Sequence, residues 1–225
     1  MIIINKLMTK TDKMYKKDVK IDCNSKEYMD IMNIYNLALN KVNRIMLELK
    51  EKLNYYSGYD FIYSVTSRIK SYNSIINKME KKKIKYNHDD LIKNINDIAG
   101  IRITCMTEED TYKMIEIISS IDDINIIKEK DYIKRPKKSG YSAYHIIVEV
   151  PVFVKEQKVW VKVEIQIRTI GMDFWSSLEH KVNYKPNKKI SKRNQNKLKL
   201  YAKIILKINT EMSKMFKKNY KYVEN

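Results

Sequence analysis

The sequence predicts an α+β fold, with a strand-bearing core over residues 60–185 and helices packed at both ends. Three observations lead there. Apolar residues recur at helical spacing from Glu27 to Leu53 and again from Leu198 to Met215. Between those stretches, Val159 to Thr169 alternates apolar and polar side chains with the period of a strand. Only four Gly and three Pro punctuate 225 residues that are 44% hydrophobic, so the chain has a core to bury and no linker-dominated or collagen-like architecture.

In chain order, Met29, Met32, Tyr35, Val42, Ile45, Leu49 and Leu53 mark an amphipathic helix that Gly58 breaks. A second helix is predicted from Asp60 to Lys83, with Ile69, Tyr72, Ile76 and Met79 on one stripe and Lys70, Ser74 and Lys78 on the other. Gly100 to Met106 alternates as a strand, and Glu108 to Ser120 returns to helical spacing. Ile124 to Ile133, Ala143 to Val150 and Val159 to Thr169 read as strands, the last two separated by a turn near Pro151 to Lys158. Asp173 to Tyr184 is a helix ended by Pro186, and Ser191 to Lys218 is a long helix with Leu198, Tyr201, Ile204, Ile205, Ile208, Met212 and Met215 as its seam. The organisation is an N-terminal helical segment (1–59), the core (60–185) and a C-terminal helix (186–225) suited to oligomerisation.

The charge narrows the partners. Forty-five Lys and Arg against 27 Asp and Glu give a formal charge of +18, a field that gathers phosphates whether they belong to nucleotides or to nucleic acid. Six of the basic residues are arginine, and an isolated Arg among lysines marks a place for a planar, forked, stackable cation. No apolar run approaches the roughly 20 residues of a membrane span. The opening Met1-Ile2-Ile3-Ile4 is too short for an export signal, and Cys23 and Cys105 make no zinc or disulfide framework, so a cytoplasmic location without membrane attachment is expected.

Four segments carry chemistry. On the strand Val159 to Arg168, Trp160, Lys162, Glu164, Gln166 and Arg168 share one face, which places a carboxylate, an amide and a guanidinium in register. Asp97 stands just before another strand, where Gly100 permits close approach; if the two strands adjoin, Asp97 and Glu164 share a divalent cation such as Mg²⁺. The loop Lys134 to His145 gathers four basic residues, Gly140 and Tyr141, a set that binds phosphate and stacks on a base. Lys70, Ser74 and Lys78 form the fourth set. Taken singly, each also fits an ordinary wet strand, turn, basic loop or solvated helix face.

Together they stand in one order: Arg68-x-Lys70-x3-Ser74-x3-Lys78, Asp97-Ile-Ala-Gly-Ile-Arg102, Pro136-Lys-x-Ser-Gly-Tyr141 with His145, Val163-Glu-Ile-Gln-Ile-Arg-Thr169, and Met172-Asp-x-Trp-x2-Leu-Glu-His180. That order resembles the synthetase domain of the RelA/SpoT family, over about Arg68 to Lys185, and the short flanks make the chain similar to its small, single-domain alarmone synthetases. The resemblance implies a nucleotidyltransferase-like mixed sheet, a homotetramer, and transfer of the β,γ-pyrophosphate of ATP to the ribose 3′-hydroxyl of GTP or GDP. It further implies that Arg68 and Arg102 clamp the adenine while Lys70, Ser74 and Lys78 meet the ATP phosphates. Asp97 and Glu164 hold Mg²⁺, with Glu164 as base; Tyr141 stacks on guanine; Lys137, His145 and Gln166 contact the acceptor. The family's loop usually reads Asn-Gly-Tyr followed by a long polar residue, whereas here Ser139 and Ser142 flank Gly140-Tyr141. Larger members add a hydrolase domain; His88-Asp89 lies inside the synthetase region and is not expected to supply that metal site. Two alternatives remain: from another class, a basic RNA-binding protein with a decayed synthetase site, and within the enzyme class, a toxic relative that pyrophosphorylates adenine nucleotides or the 3′ end of tRNA; single-stranded RNA is expected as a partner beside the nucleotides.

Overall fold

A computed structural model describes residues 21–183 and 191–219. Its first helix, α1 (Lys26–Ser57), starts where Ser25 Oγ accepts the Tyr28 N–H at 3.2 Å and ends at Gly58, whose φ of 70° closes the C-cap. Strand β1 (Ile62–Ile69) follows, then α2 (Tyr72–Lys81), α3 (His88–Asn94), β2 (Ala99–Cys105), α4 (Glu108–Ser119), β3 (Asn125–Asp131), β4 (Tyr144–Val154), β5 (Gln157–Thr169), α5 (Ile170–Asn183) and α6 (Lys192–Asn219). Helix α4 opens on a reciprocal capping box between Thr107 and Asp110.

The five strands form one mixed sheet in the order β1-β2-β5-β4-β3. Only β2 and β5 run parallel; the other three pairs are antiparallel. The parallel neighbours are joined by a long crossover through α4, β3 and β4, as a parallel pair requires. One face of the sheet is apolar: Ile101, Ile103, Ile146, Val148, Val163, Ile165 and Ile167 are buried in the same cluster as Tyr35, Leu39, Val42 and Met46 of α1 and Met114 and Ile118 of α4. Alternation sends the intervening residues to the opposite face, which carries the polar groups.

The predicted second helix from Asp60 to Lys83 is corrected by the structure: its first half is the edge strand β1, and the helix begins after the N-cap Ser71. Ile62, Val65, Thr66 and Ile69 are β-branched, and pairing with β2 rewards extended backbone where an isolated helix would gain nothing. The inner face of α2 is Ile75 and Met79. The turn expected near Pro151 to Lys158 shrinks to Lys155 and Glu156, both at positive φ, as in a two-residue hairpin, and Pro151 lies within β4. Proline is tolerated there because β3 pairs only as far as Glu149 of β4, leaving Pro151 unpaired on that side. The Pro186 helix stop lies outside the described residues.

The C-terminal seam divides in two. Ala202 is buried against the body of the protein, whereas Tyr201, Ile204, Ile208, Met212 and Met215 are exposed. Helix α6 is fixed by hydrogen bonds from Trp175 Nε1 to the Leu198 carbonyl at 3.1 Å and from Asn209 Nδ2 to Thr169 Oγ1.

Candidate active site

Sheet register builds the site as two adjacent rows on the polar face. In one row, Arg68 of β1, Gly100 of β2, Glu164 of β5, Ile147 of β4 and Lys128 of β3 lie opposite one another; in the next, Thr66, Arg102, Gln166, His145 and Lys130 do. Gly100 leaves a gap between Arg68 and Glu164: an added Cβ would reach only to 4.0 Å from Arg68 Cγ and the Glu164 carbonyl, filling space without a clash. That gap belongs to a smaller pocket of about 240 Å³ lined by Thr66, Arg68, Asp97, Arg102, Glu164 and Gln166. Beside it opens a cleft of about 720 Å³. Nine of the eleven sequence-predicted site residues line that cleft: Arg68, Lys78, Asp97, Arg102, Lys137, Tyr141, His145, Glu164 and Gln166. Lys70 stands just behind, tied to Asp97, and Ser74 is exposed on the first turn of α2, where its Oγ accepts from Ser71.

Asp97 sits in the segment leading into β2, facing the start of α2. Its Oδ2 is 3.0 Å from Lys70 Nζ and 2.7 Å from Lys78 Nζ, while Oδ1 is buried with no hydrogen-bond partner among the described residues. Burial alone would raise its pKa; the Lys78 hydrogen bond and the Lys70 charge outweigh it and hold the carboxyl below its ordinary value. Glu164 obeys the same balance. Burial opposes its charge, but its Oε1 faces His145 Nδ1 at 3.3 Å and its Oε2 accepts from Gln166 Nε2 at 2.8 Å, so its pKa also lies below the ordinary value. Asp97 acts in the other direction, and both carboxylates line the smaller pocket.

Two lining carboxylates and an unpartnered carboxylate oxygen beside a glycine gap suit Mg²⁺, which takes one or two protein carboxylates and completes its shell with substrate phosphates and water. Among the described residues no group of three or more His, Cys, Asp or Glu side chains is placed to hold a metal.

The loop between β3 and β4 carries the other wall. The Lys137 N–H donates to the Tyr141 carbonyl and the Gly140 N–H to the Lys137 carbonyl, a tight turn with Gly140 at φ 96°. A Cβ on Gly140 would lie 2.5 Å from Ala202 Cβ, so α6 presses directly on this loop. Ser139 Oγ accepts the Tyr141 N–H at 3.4 Å, the local turn bond an Asn would otherwise make, while the Ser142 hydroxyl is buried without a partner among the described residues. Lys137 Nζ stands 4.5 Å from the ring centres of both Tyr132 and Tyr141.

Sequence reasoning missed several lining groups. Lys128 and Lys130 extend the two rows to the sheet edge, and Lys82, Ser176 and His180 complete the rim. The signal for the first two was present in Lys128-Glu-Lys130, where alternate positions on a strand share a face. Of the six arginines, Arg68, Arg102 and Arg168 converge on the cleft, which fits the reading of rare arginine as placed arginine.

Comparison with known proteins agrees with this geometry. Residues 67–189 match the model of the region found in RelA/SpoT proteins. The chain is 39% identical over 171 residues, 76% of its length and 81% of the relative's, to the GTP pyrophosphokinase YwaC of Bacillus subtilis. It superposes on the crystal structure of small alarmone synthetase 1 from Bacillus subtilis bound to its product pppGpp with a TM-score of 0.80, at 29% identity, covering 86% of this chain and 98% of that one. For small alarmone synthetase 2 of the same organism the TM-score is 0.77 and the identity 36%, covering 86% of this chain and all of the other. An α+β sheet of this order, two carboxylates facing one cleft, and this agreement in sequence and structure lead to one conclusion: the chain belongs to the RelA/SpoT family.

Proposed function

We propose that the protein is a GTP pyrophosphokinase, transferring the β,γ-pyrophosphate of ATP to the ribose 3′-hydroxyl of GTP or GDP and releasing AMP. The observation that carries this reading is that Asp97 and Glu164 line one pocket between Arg68 and Arg102, with Tyr141 across the adjoining cleft. Arg68 and Arg102 supply flat cations for the adenine faces. Lys70 and Lys78, now paired with Asp97, supply positive charge for the ATP phosphates, with Ser74 at the first turn of α2. Tyr141 offers a ring to guanine; Lys137 then leaves that ring for the acceptor's phosphates, joined by His145 and Gln166. Two phosphate chains about 5 Å apart repel by about 3 kcal/mol per charge pair at an effective dielectric of 20, and the basic walls offset that cost.

The transferred group stays polar throughout: the new bond joins the acceptor 3′-oxygen to the β-phosphorus of ATP, and the bond from that phosphorus to the α,β-bridging oxygen breaks, with AMP keeping the oxygen. Asp97 and Glu164 would hold Mg²⁺, which when bound would stabilise the charge on that group. Glu164 orients the 3′-hydroxyl and receives its proton. With its pKa held low the carboxylate is a weak base, so it takes the proton late, once the oxygen is bonded to phosphorus and its hydrogen has become acidic.

Incubation with ATP, Mg²⁺ and each guanine nucleotide, followed by anion-exchange separation, tests the reading. AMP is expected alongside a new, more acidic guanine species, and Glu164→Gln abolishes both while nucleotide binding persists. Absence of any guanine-dependent AMP release overturns it; the same assay with ATP or tRNA as acceptor separates the related activities.

Assembly and RNA binding belong to the same proposal. The exposed apolar stripe of α6 and the exposed Phe174, Leu178 and Val182 of α5 fit a second copy of the chain, on the way to a tetramer. At the far end of the polar sheet face, Phe153 and Trp160 are exposed, and Lys158 Nζ stands 5.1 Å from the Trp160 ring, a stacking platform for single-stranded RNA.

A further inference from the structure

Arg168 is 1% exposed, yet it is charged and lies at the end of the strand that carries Glu164. Its Nη2 donates to Tyr141 Oη at 3.3 Å and to Gln166 Oε1, and its Nη1 reaches Asp173 Oδ1 at 3.4 Å. Asp173 also holds Arg102 at 3.2 Å. From Tyr141 the chain of contacts continues through Oη to His145 Nε2 at 2.6 Å and from His145 Nδ1 to Glu164 Oε1 at 3.3 Å; from Gln166 it continues to Glu164 Oε2 at 2.8 Å. The contacts close into a ring: Arg168, Tyr141, His145, Glu164, Gln166 and back.

A guanidinium has donors and no acceptor, whereas a phenol, an amide and an imidazole each have both. Arg168 therefore sets the sense of the ring. Tyr141 accepts from Arg168, which leaves its own O–H free for His145 Nε2; the acceptor-only carboxylate of Glu164 calls for the histidine proton on Nδ1, so the two ends of the ring agree. Gln166 turns its oxygen to Arg168 and its amide nitrogen to Glu164. Both arms deliver donors to separate oxygens of one carboxylate. We infer that Arg168 is a positioning residue, which fixes the Nδ1–H tautomer of His145 and the amide orientation of Gln166, and through them presents the acceptor-binding groups around Glu164. The assignment of those groups to the acceptor rests on the pyrophosphokinase reading above; the direction of the ring does not.

The test uses Arg168→Met, which keeps length and buries no charge, with Tyr141→Phe as an independent break in the relay should the first variant not fold. Nitrogen-15 NMR of the histidines at pH 8, with His145 assigned from a His145 variant, is expected to show the Nδ1–H tautomer in the wild type and its loss in either variant. Kinetically, KM for the guanine nucleotide rises about tenfold, the worth of one hydrogen bond to a charged group, while KM for ATP stays within about twofold. Arg168→Lys restores a donor without the fork and recovers the tautomer more fully than the acceptor KM. An unchanged tautomer in the folded variants, or equal losses for both nucleotides, overturns the inference. Because the NMR measurement needs no turnover, a wild type that makes no product would sink the functional reading and still leave the role of Arg168 decided.

Discussion

Asp97 shows how little sequence is needed to build a charged site and how much geometry is needed to hold it. One carboxyl oxygen takes two ammonium groups, and the pair of lysines keeps the acid ionised despite its burial. A carboxyl whose folded pKa lies below its unfolded value contributes stability that is complete above the ordinary value of 3.8 and is lost as the pH falls through the depressed one. Asp97→Asn removes that contribution. At pH 7 the variant is expected to be less stable by roughly 1.5–3 kcal/mol, the range for hydrogen bonds to charged groups. The gap should hold down to about pH 4.5 and then narrow as the wild-type carboxyl protonates. Urea melts of the two proteins between pH 7 and 3 measure it; a gap that widens in acid contradicts the ion-pair account.

Helix α6 and the loop before β4 meet where Gly140 faces Ala202 and Lys199, and that approach ties the Tyr141 wall of the cleft to an element more than fifty residues away. Gly140→Ala adds a methyl 2.5 Å from Ala202 Cβ at a φ of 96°, so both clash and backbone strain oppose it, at about 1–3 kcal/mol. Ala202→Gly opens space for the methyl while costing about 1 kcal/mol of helix propensity. The double variant is therefore expected to recover part, not all, of the melting temperature and of the acceptor affinity lost in Gly140→Ala; strict additivity of the two losses would show the contact to be incidental. The sequence hinted at Gly140 through its turn neighbours but could not show what it faces. The same limit runs through the elements. Strands β2 and β5 were legible because each wets one face, leaving a clean period of two. Strand β1 was not: only Ile62 of its eight residues is fully buried, and its Ser-Val-Thr-Ser centre has no period, so the clear pattern of α2 was extended back over it. Motif order assembled nearly all of the site, whereas the rows that align Arg68 with Glu164 and Arg102 with His145 depend on sheet order, which no local pattern encodes. Arg168 was readable as a placed arginine, but its part as the hub of a hydrogen-bonded ring needs the β3–β4 loop folded over β5.

Across the molecule two surfaces compete for meaning, an apolar stripe and a strong positive field, and salt acts on them in opposite directions. Copies carrying a formal charge of +18 repel one another, and that repulsion is largely screened beyond about 10 Å at 0.1 M ionic strength. Association through Ile204, Ile208, Met212 and Met215 gains from burial of apolar area and loses from repulsion, so added salt should strengthen it. Binding of a polyanion releases counterions and must weaken with salt. Light scattering of the wild type is therefore expected to give a mass several times that of one chain, held or raised as sodium chloride increases from 0.1 to 0.5 M (about the range over which screening becomes complete). Over the same range, affinity for a single-stranded oligoribonucleotide should fall steeply, and Trp160→Ala should lower it further without altering the mass. Ile208→Glu places a charge in the middle of the stripe and is expected to leave single chains at every salt concentration, with Glu164-dependent product formation as the control for folding. Dissociation of the wild type by salt would assign the contact to ion pairs, and persistence of the assembly in Ile208→Glu would remove α6 from it.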